Sequence, residues 1–452
     1  MEKNLTSGSV FKNVIFFSLP YLLSYLLQTL YGMADLFIIG QFDSVAGTTA
    51  VSIGSQVMHM LTVMIVGLAM GATVSIGQAV GAKKHSQAAE DVGNTVTLFM
   101  TLSVILTATL LIFVRPIISV MSTPAEAVDG TAAYLTVCFI GIPFITAYNI
   151  ISSVFRGLGD SKSPMYFIAV ACAANIGLDY LFMGAMRMGP LGAALGTTLS
   201  QAISVAVSLA VIMKRKSIGL RKSDFKPNRA AMGKILKIGV PIALQDGLIQ
   251  IAFIVITVIA NQRGLNDAAA VGIVEKVISF LFLIPSSMLS TVSALGAQNI
   301  GANKPERAIS TLRYAIMLAV GFGIIASVAV QFTAEPIVAL FTDKTTADGA
   351  EVVRFGGQYL RGYVWDCVFA GIHFSFSGYF CACGRSGLSF MHNIIAITLV
   401  RIPGVYLTSK LFPSTLFPMG LATAAGSLLS VMICLAAFAM IRKKPIKEPS
   451  EA

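Results

Sequence analysis

Asp35 is a carboxylate inside an apolar run, residues 14–40, that is long enough to cross a bilayer as a helix. Lipid disfavours such a charge by roughly 2.5–3.5 kcal/mol even on insertion scales, so a titrating or cation-holding role is the first reading. Tyr31, Gln28 and Ser24 precede the acid at intervals of four, three and four. All four polar side chains then share one helical face, which is expected to line water. Pro20, fifteen residues before the acid, removes a backbone hydrogen bond and offers this helix a hinge. The plain alternative is that Asp35 is an interhelical hydrogen-bonding group without a transport role.

Other polar groups recur at helical spacing inside apolar runs. Asn175 and Asp179 are four apart, so an amide and a carboxylate are placed to serve one small cation or to hold one another's protons. Thr197, Gln201, Ser204 and Ser208 form a second 4-3-4 stripe; hydroxyls and amides of this kind serve as interhelical glue as well as ligands. Asp246, Gln250, Phe253 and Thr257 repeat that spacing later in the chain. Glu275 and Lys276 are adjacent and point about 100° apart, so one of them is expected to face a cleft. Asp366, His373 and Ser377 fall in one row, where the His is either a proton relay or a structural hydrogen-bonding group. Tyr359, Arg361, Tyr363 and the single Trp365 stand just before that row and read as an interfacial belt on the outer side.

Positioning such groups takes a bundle of membrane-spanning helices. The chain has 452 residues, 56% hydrophobic and 12% charged, with a mean hydropathy of +0.80. A soluble protein of this size needs far more polar surface. Apolar runs of spanning length occur at 13–40, 50–80, 92–114, 131–155, 163–184, 191–213, 234–260, 269–299, 312–332, 353–381, 388–409 and 416–441. The first is too long for a cleavable signal peptide and reads as span 1.

The net charge of +11 reports topology rather than a nucleic-acid partner. Cations gather at Lys3 and Lys12, Lys83 and Lys84, Arg156 and Lys162, from Lys214 to Lys237, at Lys304, Arg307 and Arg313, at Arg385, and at Arg442, Lys443, Lys444 and Lys447. Counted across twelve spans, all of these lie on one side. The opposite loops hold acids, among them Asp43, Glu126, Asp129, Asp343, Asp348 and Glu351. Both termini are therefore expected in the cytoplasm. The six cysteines lie in or at the ends of spans without a matching ligand cluster, and read as small core residues.

The two halves echo one another. The segment beginning at Gly77, GQAVGAKKHSQA, is answered 220 residues later by AQNIGANKPERA from Ala297. Leu19–Pro20 is answered by Val240–Pro241, and VFRGLGDS at the end of span 4 by YFCACGRS at the end of span 10. Offsets of 220–225 imply a duplicated six-span unit: an amino-terminal bundle 1–213, a basic linker 214–233, a carboxy-terminal bundle 234–441 and a tail 442–452. Because six is even, both copies insert with the same orientation. The expected fold is all-α, two six-helix bundles related by a pseudo-two-fold axis along the membrane normal, with a cleft between them suited to alternating access.

Over essentially its full length the chain resembles the multidrug and toxic compound extrusion (MATE) transporters, in particular the prokaryotic branch typified by DNA-damage-inducible protein F. The resemblance is carried by Pro20 through YGMADLFIIGQF, GLAMGATVSIGQAVGAKK, RGLGDSKSP, NIGLDYLF, GAALGTTLSQ and RIPGVY, in that order. It implies a secondary active transporter of the bacterial inner membrane, acting as a monomer. Such a protein exports amphipathic, cationic organic compounds against inward flow of protons or sodium ions, with no other cofactor. It further implies a cation-coupling site at Asp35, Asn175, Asp179 and Thr197. Tyr31, Gln28, Gln201, Asp246, Gln250, Glu275, Asp366 and His373 are then candidates for the lining of the cleft. The family's second cation site, in the carboxy-terminal half, uses acids that Asp246 and Asp366 do not match in position, and Arg385 stands where the first half has Asp160.

A lipid-linked precursor flippase of the same superfamily shares the architecture but calls for a more cationic cleft. An intramembrane enzyme lacks support: no His-Glu metal motif, Ser-Lys pair or Gly-x-Ser-x-Gly elbow falls on a span. In a cysteine-free background, single cysteines at Lys83 and Arg385 are expected to react with an impermeant thiol reagent only from the cytoplasmic side, and one at Trp365 only from the other. Labelling of any of them from the wrong side overturns the topology.

Overall fold

A computed structural model describes residues 4–215, 219–342 and 345–443. Lys3, Asp343, Lys444 and Lys447 lie outside the described residues, as do parts of the linker and tail. The described chain is helical, with no strand: α1 (Val10–Phe42), α2 (Val45–Gly81), α3 (His85–Ile112), α4 (Val114–Val120), α5 (Val128–Ile140), α6 (Ile142–Gly157), α7 (Lys162–Asp179), α8 (Gly189–Arg215), α9 (Arg229–Asn261), α10 (Leu265–Leu281), α11 (Leu283–Gly301), α12 (Pro305–Val338), α13 (Ala347–Tyr363), α14 (Asp366–Ala382), α15 (Ser386–Ala396), α16 (Ile402–Leu411) and α17 (Phe417–Lys443).

Among the described residues, ten helices are long and apolar enough to cross a membrane, and α5 with α6, bent by 47° about Gly141, makes an eleventh. Pro143 has no N–H to continue the ladder through that bend. The same chemistry divides α10 from α11 at Phe282, because Pro285 cannot donate to Leu281. The expected span 353–381 differs from its description as one run: α13 ends at Tyr363 and α14 begins at Asp366. Cys367 and Val368 donate to the carbonyls of Val364 and Trp365 at 3.0 and 3.1 Å, so the join is one tightened turn. α1 and α9 each run 33 residues unbroken through Pro20 and Pro241. Large apolar side chains such as Phe16, Phe37 and Phe332 stay exposed on the helix surfaces, as a lipid-facing surface requires.

The residues divide into two compact units, Met1–Ala243 with Ser293–Ala308, and Leu244–Val292 with Ile309–Ala452. In the first, Ile38, Ile39, Tyr134, Leu135 and Phe139 belong to one buried cluster that packs α1 against α2, α5 and α8. In the second, Val271, Val274, Tyr359, Leu360 and Tyr363 form the counterpart. Tyr359 and Tyr363 are fully buried, which corrects the reading of these tyrosines as an interfacial belt; Trp365 alone of the three aromatics is exposed, at 38%. The periodicity that suggested a belt is equally the periodicity of a core stripe. All six cysteines are free thiols, five of them buried and Cys383 half-buried.

The internal echo is visible in backbone geometry. Lys83 and Asn303, equivalent by the 220-residue offset, are left-handed at φ 59° and 55°, and in each copy the same two backbone bonds close the helix end. Gly159 and Gly384 are likewise equivalent and left-handed, at φ 89° and 68°. Within the first unit the ends of α2 and α11 cross reciprocally: Gly81 lies against the Gln298 carbonyl and Gly301 against the Gln78 carbonyl, so close that a Cβ on either would strike backbone. The amino-terminal arm caps this crossing. Leu5 is buried and donates from its N–H to Gln298 Oε1, Lys304 Nζ donates to Thr6 O at 3.0 Å, and Arg307 donates to the carbonyls of Ser7 and Gly8 at 3.1 Å.

Gly81→Ala and Gly301→Ala are each expected to destabilise the folded protein by about 1–3 kcal/mol through overpacking. Gly32→Ala, where a Cβ meets nothing within 4 Å, should be neutral or better. Thermal unfolding in detergent checks this, and equal behaviour of Gly81→Ala and Gly32→Ala would refute the close crossing.

Candidate functional site

Three helices of the first unit bring the acids together. α7 packs against both α1 and α8, so Asp35 from α1, Asn175 and Asp179 from α7, and Thr197 from α8 converge in its interior. Asp179 and Asn175 are 0% exposed, Asp35 3% and Thr197 5%. Thr197 Oγ1 donates to Asp35 Oδ2 at 3.1 Å, a bond between α8 and α1 that fits both roles open to it from sequence. Asp35, Asn175 and Asp179 lie close enough to interact with one another electrostatically. Gly196 makes the approach possible: a Cβ there would collide with the Asp179 carboxylate. Immediately beyond Asp179 the helix widens into a π turn, Tyr180–Ala185, with Met186 N–H donating to Leu181 O. No feature of the sequence signals that turn.

Asp35 Oδ1, both oxygens of Asp179 and both amide atoms of Asn175 are buried without a protein hydrogen-bond partner. Two carboxyl groups, an amide and a hydroxyl thus converge, and among the described residues no Lys, Arg or His makes an ion pair with either acid. Two adjacent buried carboxylates cannot both stay charged unless something positive is shared between them. An oxygen-only set of this kind holds a proton between its carboxyls or a hard monovalent cation among its oxygens.

The remaining polar positions on these helices divide into two kinds. Tyr31 is half-buried beside Thr197 and Asp35, and Gln28 is half-buried one turn earlier. Gln201 is buried with its Oε1 unpaired. Ser24, by contrast, donates to Pro20 O at 2.8 Å and Ser208 to Ser204 O at 2.7 Å, each within its own helix, while Ser204 donates to Phe167 O at 2.8 Å and joins α8 to α7. Pro20 itself is buried within an uninterrupted helix.

In the second unit the polar row splits. Asp366, 0% exposed, forms an ion pair with Arg401 at 2.9 Å, and the same guanidinium donates to the Tyr363 hydroxyl at 2.8 Å. Ser377 instead meets His392 Nε2 at 2.9 Å, whose Nδ1 meets Ser430 at 3.2 Å. His373 packs its ring on His392 with centroids 5.5 Å apart, and its Nδ1 is unpaired. Asp366 and His373 are thus both closed off from solvent, and helical spacing alone placed them together. Glu275 accepts from Thr257 at 3.3 Å, while Lys276 is exposed, so of that pair the acid turns inward. Asp246 and Gln250 are half-buried on α9. Arg401 and His392 are the functional-looking residues that spacing arguments missed. The signal for Arg401 was present: a lone cation in the middle of the apolar run 388–409.

With this geometry established, comparison with known proteins is informative. The MatE family model matches residues 20–181 and 241–407, stretches that begin at Pro20 and Pro241. The chain is 26% identical over 444 residues to "Probable multidrug resistance protein YoeA" of Bacillus subtilis (strain 168), which spans 96% of this chain and 95% of the relative. Two solved structures, described as MATE in the straight conformation and MATE in the bent conformation, each superpose with a TM-score of 0.89 at 21% identity. The first covers 97% of this chain and 98% of its own, the second 98% and 97%. The fold is accordingly the twelve-helix, two-bundle membrane fold of those proteins.

Thr197→Val removes the hydroxyl that satisfies Asp35 Oδ2 and is expected to lower stability by about 1.5–3 kcal/mol, the range for a hydrogen bond to a charged group. Thr198→Val, whose hydroxyl reaches only 3.5 Å from Val137 O, should cost less. Melting temperatures of the two variants in detergent decide it; an equal or larger loss for Thr198→Val would remove Thr197 from the site.

Proposed function

The chain belongs to the MatE family, and from that membership we propose that it is a cation-coupled antiporter. It exports amphipathic, cationic organic compounds, with Asp35, Asn175, Asp179 and Thr197 as the coupling site. It is a multi-pass membrane protein and a secondary transporter, not an enzyme. The observation that carries the reading is the pair Asp35 and Asp179, buried on adjacent helices and, among the described residues, without a cationic partner. A proton or a sodium ion supplies the missing positive charge, and its loss on one face of the membrane leaves a repulsive pair that favours another arrangement of the helices.

Pro20 is the hinge in this scheme. Its missing N–H lets α1 bend at small cost, moving Asp35 relative to α7 and α8 as the charge of the site changes. The existence of straight and bent conformations in a protein of the same fold supports a cycle between two states. The energy scale is adequate, since one elementary charge crossing 100 mV yields about 2.3 kcal/mol. Drug export is favoured by the name of the relative that matches along nearly its whole length. An acid-bearing apolar cavity pairs one positive charge of a substrate and buries the rest of it. Tyr31, Gln28 and Gln201, with Asp246, Gln250 and Glu275 of the second unit, are the polar side chains we assign to the transport path. In this scheme the two six-helix halves, 1–213 and 234–441, work by alternating access. The protein works as a monomer in the bacterial inner membrane with both termini in the cytoplasm.

The flippase alternative calls for free cations that grip a lipid phosphate. Arg401 is already committed to Asp366 and Tyr363, which argues for the exporter.

Purified protein in proteoliposomes, with a proton gradient and a sodium gradient imposed separately, tests the coupling. Asp35→Asn keeps the shape and removes the titration, and is expected to reduce gradient-driven dye export to background under whichever gradient drives the native protein. Asp179→Asn should weaken coupling through the same site. Undiminished export by Asp35→Asn would return Asp35 to the role of a structural hydrogen-bonding group.

A further inference from the structure

The second unit also buries a carboxylate among its helices, and there the cation is built in. By the 225-residue offset of Gly159 and Gly384, the nearest paired landmark, Arg401 answers Ile176, so it lies next to the counterpart of Asn175 and within one turn of the counterpart of Asp179 on the answering span. Each of the two spans contains a π turn, although not at matching positions: Tyr180–Ala185 begins directly after Asp179, and Ile397–Arg401 ends on Arg401. Where the first unit sets acid against acid, the second therefore sets acid against base.

The surroundings of Arg401 are those of a bound cation. Its guanidinium donates to Asp366 Oδ2 at 2.9 Å and to the Tyr363 hydroxyl at 2.8 Å, and lies 5.6 Å from the centroid of the Phe253 ring. Carboxylate oxygen, phenol oxygen and aromatic face are the three kinds of partner that hold a monovalent organic or alkali cation in a dry site. Glu275 contributes a second carboxylate close enough to interact with the same group. Arg401 is 8% exposed and Asp366 fully buried. The pair is made through one guanidinium amino group, leaving Asp366 Oδ1 and Arg401 Nε without protein partners, so the acid is neutralised without being fully enclosed by its counter-ion. A guanidinium keeps its proton throughout the accessible pH range, and its covalent stem prevents its leaving.

We propose that Arg401 is a tethered cation that permanently fills the second unit's counterpart of the coupling site, leaving Asp35 and Asp179 as the one exchangeable cation site. The proposal rests on the coupling site assigned above. Arg401 acts as a specificity-determining residue: it fixes the number of coupling ions by denying Asp366 to any ion in solution. Removing it vacates a pocket with two carboxylates and a phenol, an oxygen set comparable to that of the first unit, and should create a cation site where the native protein has none.

The test uses full-length protein in nanodiscs, with the Asp35→Asn change in every variant so that the first site is silent. Melting temperature is followed in choline chloride and on addition of sodium chloride or millimolar guanidinium chloride. Arg401→Gln is expected to lose roughly 4 °C or more in choline and to regain at least half of it with guanidinium or sodium ions. Arg401→Gln with Asp366→Asn should melt higher than Arg401→Gln in choline and ignore both ions, because the acid no longer needs a counter-ion. No cation-dependent recovery in Arg401→Gln overturns the proposal, and so does a double variant less stable than the single one, the pattern of a merely packed side chain. Should Arg401→Gln fail to fold, the double variant is still expected to fold, and its failure also overturns the proposal. A cation response with Arg401 in place counts against the coupling site if it survives Asp366→Asn, and against the tethered cation if Asp366→Asn abolishes it.

Discussion

A carboxylate in a dry helical bundle must be neutralised, because neither lipid nor packed side chains repay the loss of its hydration. The two units meet that requirement differently. Asp366 has Arg401 at 2.9 Å, a partner that cannot depart. Asp35 has the Thr197 hydroxyl, and beside it stand Asp179 and Asn175, none of which supplies a positive charge. Asp366 therefore carries its counter-charge as folded. Asp35 and Asp179 carry none, and in the coupled cycle proposed above an exchangeable ion supplies it.

The helices reach this arrangement through small residues and prolines at specific places. Gly196 admits the backbone of α8 to the Asp179 carboxylate, and Gly81 and Gly301 let the ends of α2 and α11 cross at backbone contact. Pro143 and Pro285 interrupt their spans, whereas Pro20 and Pro241 sit inside helices that continue through them. A proline thus weakens one hydrogen bond wherever it stands; whether the helix breaks depends on what packs beside it. The arm before α1 is held by Gln298, Lys304 and Arg307, which ties the base of the helix carrying Asp35 to the α11–α12 corner.

Much of this was legible in the chain itself. Spanning runs, the 220-residue echo and the placement of Asp35, Asn175, Asp179 and Thr197 follow from hydrophobic length and helical period, which are local properties. The left-handed residues at Lys83 and Asn303 show that an echo in letters is an echo in backbone geometry. Family resemblance added the grouping of the four site residues, which spacing within single helices does not supply.

What the sequence by itself determined is which face of each helix a side chain occupies, since a period of 3.6 residues acts at short range and needs no partner. Only the tertiary structure decided which faces meet. Asp366 and Ser377 share a helical row, yet one pairs with Arg401 and the other with His392. Tyr359 and Tyr363 have the spacing of an interfacial belt, yet are fully buried in the core of the second unit. The π turns at Tyr180–Ala185 and Ile397–Arg401 leave no compositional mark. Each of these outcomes depends on contacts between helices that are distant in the chain, where close packing and the neutralisation of buried charge select among faces that the local period leaves equivalent.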